Sequence, residues 1–243
     1  MIVPLVYPTT YRAKSGEETT VIQNDGKTLR MSLRGVEFSG RSFHWFEPSE
    51  EYDESELESF TLFRGELCSY SLDCDIPVLV VDGTRAVQAV LCVHADYGEP
   101  VEGLAGTYVR SKDGTVTKDS RQIDREVLQL TLAFDGESFT SGGKHLYHSF
   151  DEQLSEIKAL FPKDVYLKTC WNCAFADYHP AGSGAFGRLA CFRSLKDEYA
   201  QVRSKRDLFA VWDKRAEDVQ EVHLCEEFEK RQPGTGWHWP LFE

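Results

Sequence analysis

Ile76-Pro77-Val78-Leu79-Val80-Val81, followed by Asp82-Gly83-Thr84 and then Ala86 to Val93, is the stretch on which the fold turns. An unbroken apolar run bounded by a turn signal reads as a strand in the middle of a sheet, and Asp-Gly is a hairpin turn with a steric reason behind it. The same grammar appears on both sides. Thr19-Thr20-Val21-Ile22 and Leu29-Arg30-Met31-Ser32-Leu33 flank Asn24-Asp25-Gly26. In the second arm Leu29, Met31 and Leu33 alternate with Arg30, Ser32 and Arg34, so one face is dry and the other wet. Val127 to Phe134 and Ser138 to Thr140 enclose Asp135-Gly136, and Leu128, Leu130, Leu132 and Phe134 again keep a period of two. Residues 17 to 145 therefore read as antiparallel β, with an exposed turn at Lys112-Asp113-Gly114.

The texture changes at Ser149. Ser149-Phe150-Asp151-Glu152 has the form of a capping box, and Leu154, Ile157, Leu160 and Phe161 follow at helical spacing before Pro162. This predicts a helix of about three turns covering one face of the sheet. Val165-Tyr166-Leu167 reads as a short strand, Ser194 to about Trp212 as a second helical region, Phe186 to Phe192 as a strand and Val219 to Leu224 as the last strand. The expected fold class is α+β: an antiparallel, β-rich N-terminal part with a covering helix, then a cysteine-containing α+β part. The expected division is 1–148 and 149–243, the two parts able to pack as one unit.

Composition narrows the function. The 243 residues carry 27 Lys and Arg against 40 Asp and Glu, a formal charge of −13. Nucleic-acid binding by counterion release needs a basic face, which argues against it here. The cations between Lys196 and Arg215 are interleaved with Asp197, Glu198, Asp207 and Asp213, as on a salt-bridged helix surface. The longest apolar run is far short of the roughly 20 residues of a membrane helix. The first residues lack the form of a secretory signal, and seven cysteines is an odd number in a chain that is not small. A reducing cytoplasm is the expected compartment, and no membrane partner is expected.

Much of the acid falls in one segment, where Glu47, Glu50, Glu51, Asp53, Glu54, Glu56 and Glu58 crowd together. Such a run is a solvated loop or a docking patch for a basic protein; it lacks the spacing and turn glycine of a calcium loop.

The chemistry lies further on. Cys170-Trp171-Asn172-Cys173 is followed by Cys191 after 17 intervening residues and by Cys225 after another 33. Two thiolates separated by two residues can share one tetrahedral ion, with zinc–sulfur bonds of about 2.3 Å, and a second pair must come from elsewhere in the chain. Cys170, Cys173, Cys191 and Cys225 are thus the candidate ligands of a structural zinc ion, although neither of the last two belongs to a second C-x-x-C. His223 and His179 are substitute or outer-shell candidates. Cys68, Cys74 and Cys92 read as core residues. Gly182, Gly184 and Gly187 imitate a dinucleotide fingerprint but lack its strand-to-helix context.

The pattern of Cys170-Trp171-Asn172-Cys173, Asp177-Tyr178, Pro180, Gly182, Gly184, Phe186-Gly187 and Cys191-Phe192 resembles an uncharacterised bacterial family, a domain of unknown function. Val219-Gln220-Glu221, Leu224-Cys225, Phe228, Arg231 and Pro233-Gly234-Thr235-Gly236 are similar to its C-terminal signature, and Trp237-His238-Trp239 departs from it. The resemblance is most specific over 165–236, and the N-terminal part is similar only in its general β-rich character. It implies a bacterial cytoplasmic protein and supplies no activity.

Two functions are weighed. The first is a non-enzymatic protein with a structural zinc site that recognises a basic partner, in the manner of an immunity or antitoxin protein; opposite fields would steer the encounter. The alternative is a metal- or cysteine-dependent hydrolase, for instance with Cys173, His179 and Asp177 as nucleophile, base and orienting acid. A metal hydrolase needs an open coordination position, which four thiolates normally close, so the first reading leads and no catalytic residue is assigned.

Overall fold

The computed structural model describes residues 5–100, 107–110, 116–119, 123–142, 150–180, 186–232 and 237, with 107–110 and 116–119 described by backbone alone. Ser149 of the capping box, the Lys112-Asp113-Gly114 turn, Gly182, Gly184, the 233–236 signature and His238-Trp239 lie outside the described residues.

The chain is mostly β, 49% strand and 17% helix. This corrects the expected α+β class. The strands are β1 (Leu5–Ala13), β2 (Gly16–Asn24), β3 (Leu29–Leu33), β4 (Val36–Ser42), β5 (Trp45–Pro48), β6 (Thr61–Phe63), β7 (Glu66–Cys68), β8 (Tyr70–Asp82), β9 (Arg85–Tyr97), β10 (Thr107–Arg110), β11 (Val116–Asp119), β12 (Glu126–Phe134), β13 (Glu137–Thr140), β14 (Val165–Leu167), β15 (Ala176–Tyr178), β16 (Leu189–Cys191) and β17 (Glu217–Val219). The helices are α1 (Glu54–Leu57), α2 (Phe150–Ala159), α3 (Lys196–Tyr199) and α4 (Lys205–Val211).

Ten strands make one antiparallel sheet in the order β13-β12-β9-β8-β1-β2-β3-β4-β5, with β14 also paired to β8. The apolar run is central, as its composition requires. β8 pairs with β9 along its whole length, with β1 from Tyr70 to Cys74 and with β14 from Val80 to Asp82. Pro77 falls between the two shorter partners, so the stretch of β8 without a neighbour on that side holds the residue that cannot donate to a ladder. Tight turns fold the meander: Arg34-Gly35, Arg64-Gly65 and Asp135-Gly136 each put two successive residues at positive φ, the pairing that matches strand twist.

The sheet curls into a half-barrel. Tyr70 Oη donates to Phe43 O at 2.9 Å, and His44 Nε2 lies 3.2 Å from Val127 O. The β4–β5 turn thus reaches across to β8 and β12. Inward residues of alternating strands, among them Tyr7, Ile22, Leu29, Met31, Leu72, Ile76, Leu91, Val93 and Leu130, fill the concave side.

α2 packs mainly on β12 and β13, at one end of the sheet. Its apolar stripe is real, with Phe150, Leu154 and Ile157 buried, but the helix ends at Ala159 and leaves Leu160 exposed. The second helical region breaks into the short α3 and α4. The expected last strand stops at Val219, because Gln220 to Leu224 turn back toward the cysteines. β15, β16 and β17 make a separate three-stranded sheet. The Phe43, Phe150 and Phe186 rings, with centroids 4.8–6.1 Å apart, join the barrel, α2 and the segment leading into β16.

Candidate metal centre

Thr169 is extended and Cys170–Asn172 forms a single 3-10 turn, closed by the Cys173 N–H donating to Cys170 O at 3.1 Å. In that tight geometry side chains three apart lie on one side, which aligns Cys170 with Cys173. The turn is pinned from outside. Cys170 N donates to His223 O at 2.9 Å and Trp171 N to Glu221 O at 3.0 Å, while Asn172 Nδ2 donates to Leu167 O at 3.2 Å.

Cys191 arrives at the end of β16, opposite Ala176 on one side and Glu217 on the other. Cys225 comes from the segment after the 220–224 turn. That segment is laid over the 3-10 turn: Ala174 N donates to Glu229 O, Arg231 N to Asn172 O, and the Arg231 guanidinium to Cys173 O and Ala176 O. Cys170, Cys173 and Cys191 are buried and Cys225 is partly so.

The four thiols lie close enough to influence one another's ionisation. The Cys170 thiol is held far above its ordinary range by burial first, then by the neighbouring Cys173, Cys225 and Cys191. Cys191 is raised by burial and by Cys173 and Cys225, against the Arg193 backbone and charge, which favour its thiolate. Arg193 Nη1 stands 3.9 Å from Cys191 Sγ. Three separated segments therefore deliver four sulfurs to one neighbourhood beside a guanidinium. Among the described residues no three His, Cys, Asp or Glu side chains form a ready-made ligand set, so the sulfurs are neighbours and not a finished tetrahedron.

The histidines are placed differently. His223 serves the cluster through its carbonyl. The His179 ring packs edge-on to Trp212 and Phe209, at 4.7 and 5.5 Å between centroids. Asp177, buried, accepts from Tyr199 Oη at 2.8 Å and from the Tyr178 N–H at 2.9 Å. Cys68 and Cys74 sit in the barrel core; Cys92, on the outer side of β9, is partly exposed.

The acidic segment is at the surface. Glu47, Glu50, Glu51, Asp53, Glu54, Glu56 and Glu58 are all exposed, on β5, α1 and the chain around them. Asp53 and Glu56 close a capping box on α1. Among the described residues none of the seven carboxylates has an ion-pair partner. The Glu66 carboxyl is raised by burial and then by Glu47, a sign of like charges crowding there.

Sequence reasoning missed two buried acids. Glu221 is fully buried, its Oε1 accepting from Tyr178 Oη at 2.9 Å and its Oε2 from Gly187 N at 2.7 Å. Asp151, on the first turn of α2, is buried as well. Nothing in the sequence marks these two among 40 acids; a weak trace is that Asp151 shares a side of the helix with Leu154.

Residues 5–176 match a family of unknown function, DUF6304, and the chain belongs to that family. The match lies mainly on the half-barrel and overlaps the cysteine signature of 165–236 only at its start. No curated protein and no solved structure matches the chain.

Proposed function

We propose that this is a non-enzymatic binding protein, a curled β scaffold whose C-terminal part is fastened by one structural zinc ion on Cys170, Cys173, Cys191 and Cys225. The observation that carries this is the convergence of four thiols from three segments in a poorly hydrated setting. Thiolates are the ligands of choice for zinc, and four of them close its coordination shell and leave no position for a reacting water. A four-thiolate zinc carries a net charge of −2, and Arg193 lies where it would offset part of that charge. All seven cysteines are free thiols, which suits a reducing compartment such as the cytoplasm.

The test is elemental analysis of the purified protein together with the Cys170→Ser, Cys173→Ser double variant. One equivalent of zinc and a severe loss of stability in the variant are expected. Metal-free protein whose melting is unchanged by both substitutions overturns the reading.

A second feature bears on the partner. Seven exposed carboxylates around α1, without ion-pair partners among the described residues, favour a basic protein, whose approach would relieve their mutual repulsion. Replacing Glu50, Glu51, Glu54 and Glu58 by Gln should slow association with such a partner and flatten its salt dependence, leaving zinc content unchanged.

A further inference from the structure

We infer that Lys158 and Lys230, with the Arg231 guanidinium behind them, form a surface site for a phosphate-type oxyanion beside the Cys170–Cys173 turn.

Three elements bring these cations together. The last turn of α2 carries Lys158, whose Nζ lies 6.0 Å from the centroid of the Trp171 ring. The 228–231 segment runs along the turn that holds Trp171. Lys230 pairs with Cys173 in an antiparallel bridge, and Arg231 N donates to Asn172 O at 3.0 Å. β14 supplies the floor. The Tyr166 and Phe228 rings stack with centroids 6.3 Å apart, and Lys230 Nζ lies 4.1 Å from the Tyr166 centroid. A ring face attracts an ammonium and orients it without cancelling its charge. Lys158 and Lys230 are both exposed, so a solute can reach them.

The neighbouring carboxylates are engaged elsewhere. Glu229, next to Lys230, is held by Lys196 at 2.6 Å, and Glu227 faces Arg193 at 3.8 Å. Among the described residues Lys230 has no ion-pair partner. Arg231 gives its Nη2 to the backbone carbonyls of Cys173 and Ala176, which fixes the charge in place and leaves it uncancelled. The three cations feel one another: burial first, and then Arg231 and Lys230, pull the Lys158 ammonium below its ordinary range. Compensation of the helix dipole accounts for a lysine in the last turn of α2, but not for Lys230 and Arg231, which belong to another segment. A multivalent oxyanion relieves this repulsion, because its oxygens accept charge-assisted hydrogen bonds from both ammonium groups. The shared chemistry is the phosphate group, free or esterified; an ester would lay its organic part against Tyr166, Phe228 and the exposed Leu160.

The inference does not rest on the zinc reading, and the test separates the two. Intact protein in a phosphate-free buffer is titrated at pH 7 with inorganic phosphate and with phenyl phosphate, by calorimetry and by amide NMR. Saturable binding is expected, with shifts centred on residues 158, 166–173 and 228–231, and chloride at matched ionic strength should not reproduce it. Equal affinities assign the site to the free anion, and tighter phenyl phosphate to an ester; either supports the site. Lys158→Gln and Lys230→Gln should each weaken binding about tenfold, the share of one charge-assisted hydrogen bond. Both variants should keep the zinc content of the wild type, and Lys205→Gln on α4 should bind phosphate unchanged. A response that chloride matches, or variants that bind as the wild type does, overturns the inference. Loss of zinc in place of loss of phosphate also overturns it, by assigning these cations to the thiolates.

Discussion

Asn24 Nδ2 donates to Gln220 Oε1 at 2.6 Å across 196 residues of sequence, and also to Tyr7 Oη at 2.8 Å. One buried amide thereby ties the β1–β2 hairpin to the turn that carries Glu221. Asn24 Oδ1 meanwhile accepts from Gly26 N at 2.9 Å and shapes the β2–β3 turn. Asn24→Ala would strand a tyrosine hydroxyl and a glutamine carbonyl in the interior, each costing about 1–3 kcal/mol. Urea unfolding should show a loss of about 2 kcal/mol or more. A double-mutant cycle with Gln220→Ala should give a clear coupling between the two, and additive effects would mean that the link does not bear on stability.

The cysteines separate by position. Ser in place of Cys170, Cys173, Cys191 or Cys225 should lower the melting temperature in zinc-containing buffer, and a strong chelator should bring the wild type down to the level of these variants. Cys68, whose thiol donates to Thr61 O at 3.3 Å, is the control. Cys68→Ser should cost the same with or without zinc, because its packing lies in the barrel. Equal zinc dependence for all five would remove the site.

Gly40 sits in β4 where the register with β5 shifts between Gly40 and Ser42. A Cβ there would lie 1.7 Å from Trp45 O and 2.8 Å from its carbonyl carbon. Both are backbone atoms and cannot swing away, so Gly40→Ala must break the β4–β5 pairing or move it. A loss of about 3 kcal/mol or more is expected, in the upper range for point substitutions. Amide exchange should show the damage confined to β4, β5 and the Phe43-His44 turn; an unchanged melting curve would contradict the bulge.

Many of the strands were legible because their signals are local. Alternation in β3 and β12, the Asp-Gly turns and the apolar β8 each carry their reason within a few residues. The other tight turns, Arg34-Gly35 and Arg64-Gly65, have the same form with less familiar first residues and were passed over. The curl was not legible: it depends on Phe43 and His44 meeting Tyr70 and Val127, contacts that no periodicity announces. Helical spacing after Phe150 was real, but helix content was overestimated because mixed-charge segments such as 194–212 favour helix locally, and here they are cut short by turns. Spacing singles out the four cysteines as a candidate set, and their joint role as ligands stays a proposal. The burial of Asp151 and Glu221 was not legible, since a buried Asp or Glu looks like any other until the fold surrounds it.

Cys92 gives a last test, on the outer face of the sheet. It faces Asp75 across the β8–β9 pair, as His94 faces Asp73. Its thiol is pushed up to about 11, by burial first and then by the charge and hydrogen bonding of Asp75, with Asp73 adding to the rise. The thiolate is the reactive form, so a partly exposed Cys92 should alkylate slowly near neutral pH, about a hundredfold below an unperturbed thiol. Removing the nearest negative charge in Asp75→Asn should speed the reaction several-fold, while the fully buried Cys74 stays unreactive. Asp73 is a poorer target, because it also anchors Arg12 Nη1 at 2.5 Å and His94 Nδ1 at 2.8 Å, and its loss would disturb both. Mass-spectrometric labelling rates of the native protein decide the matter. If Cys92 reacts as fast as a free thiol, or if Asp75→Asn leaves its rate unchanged, then Asp75 does not govern this cysteine.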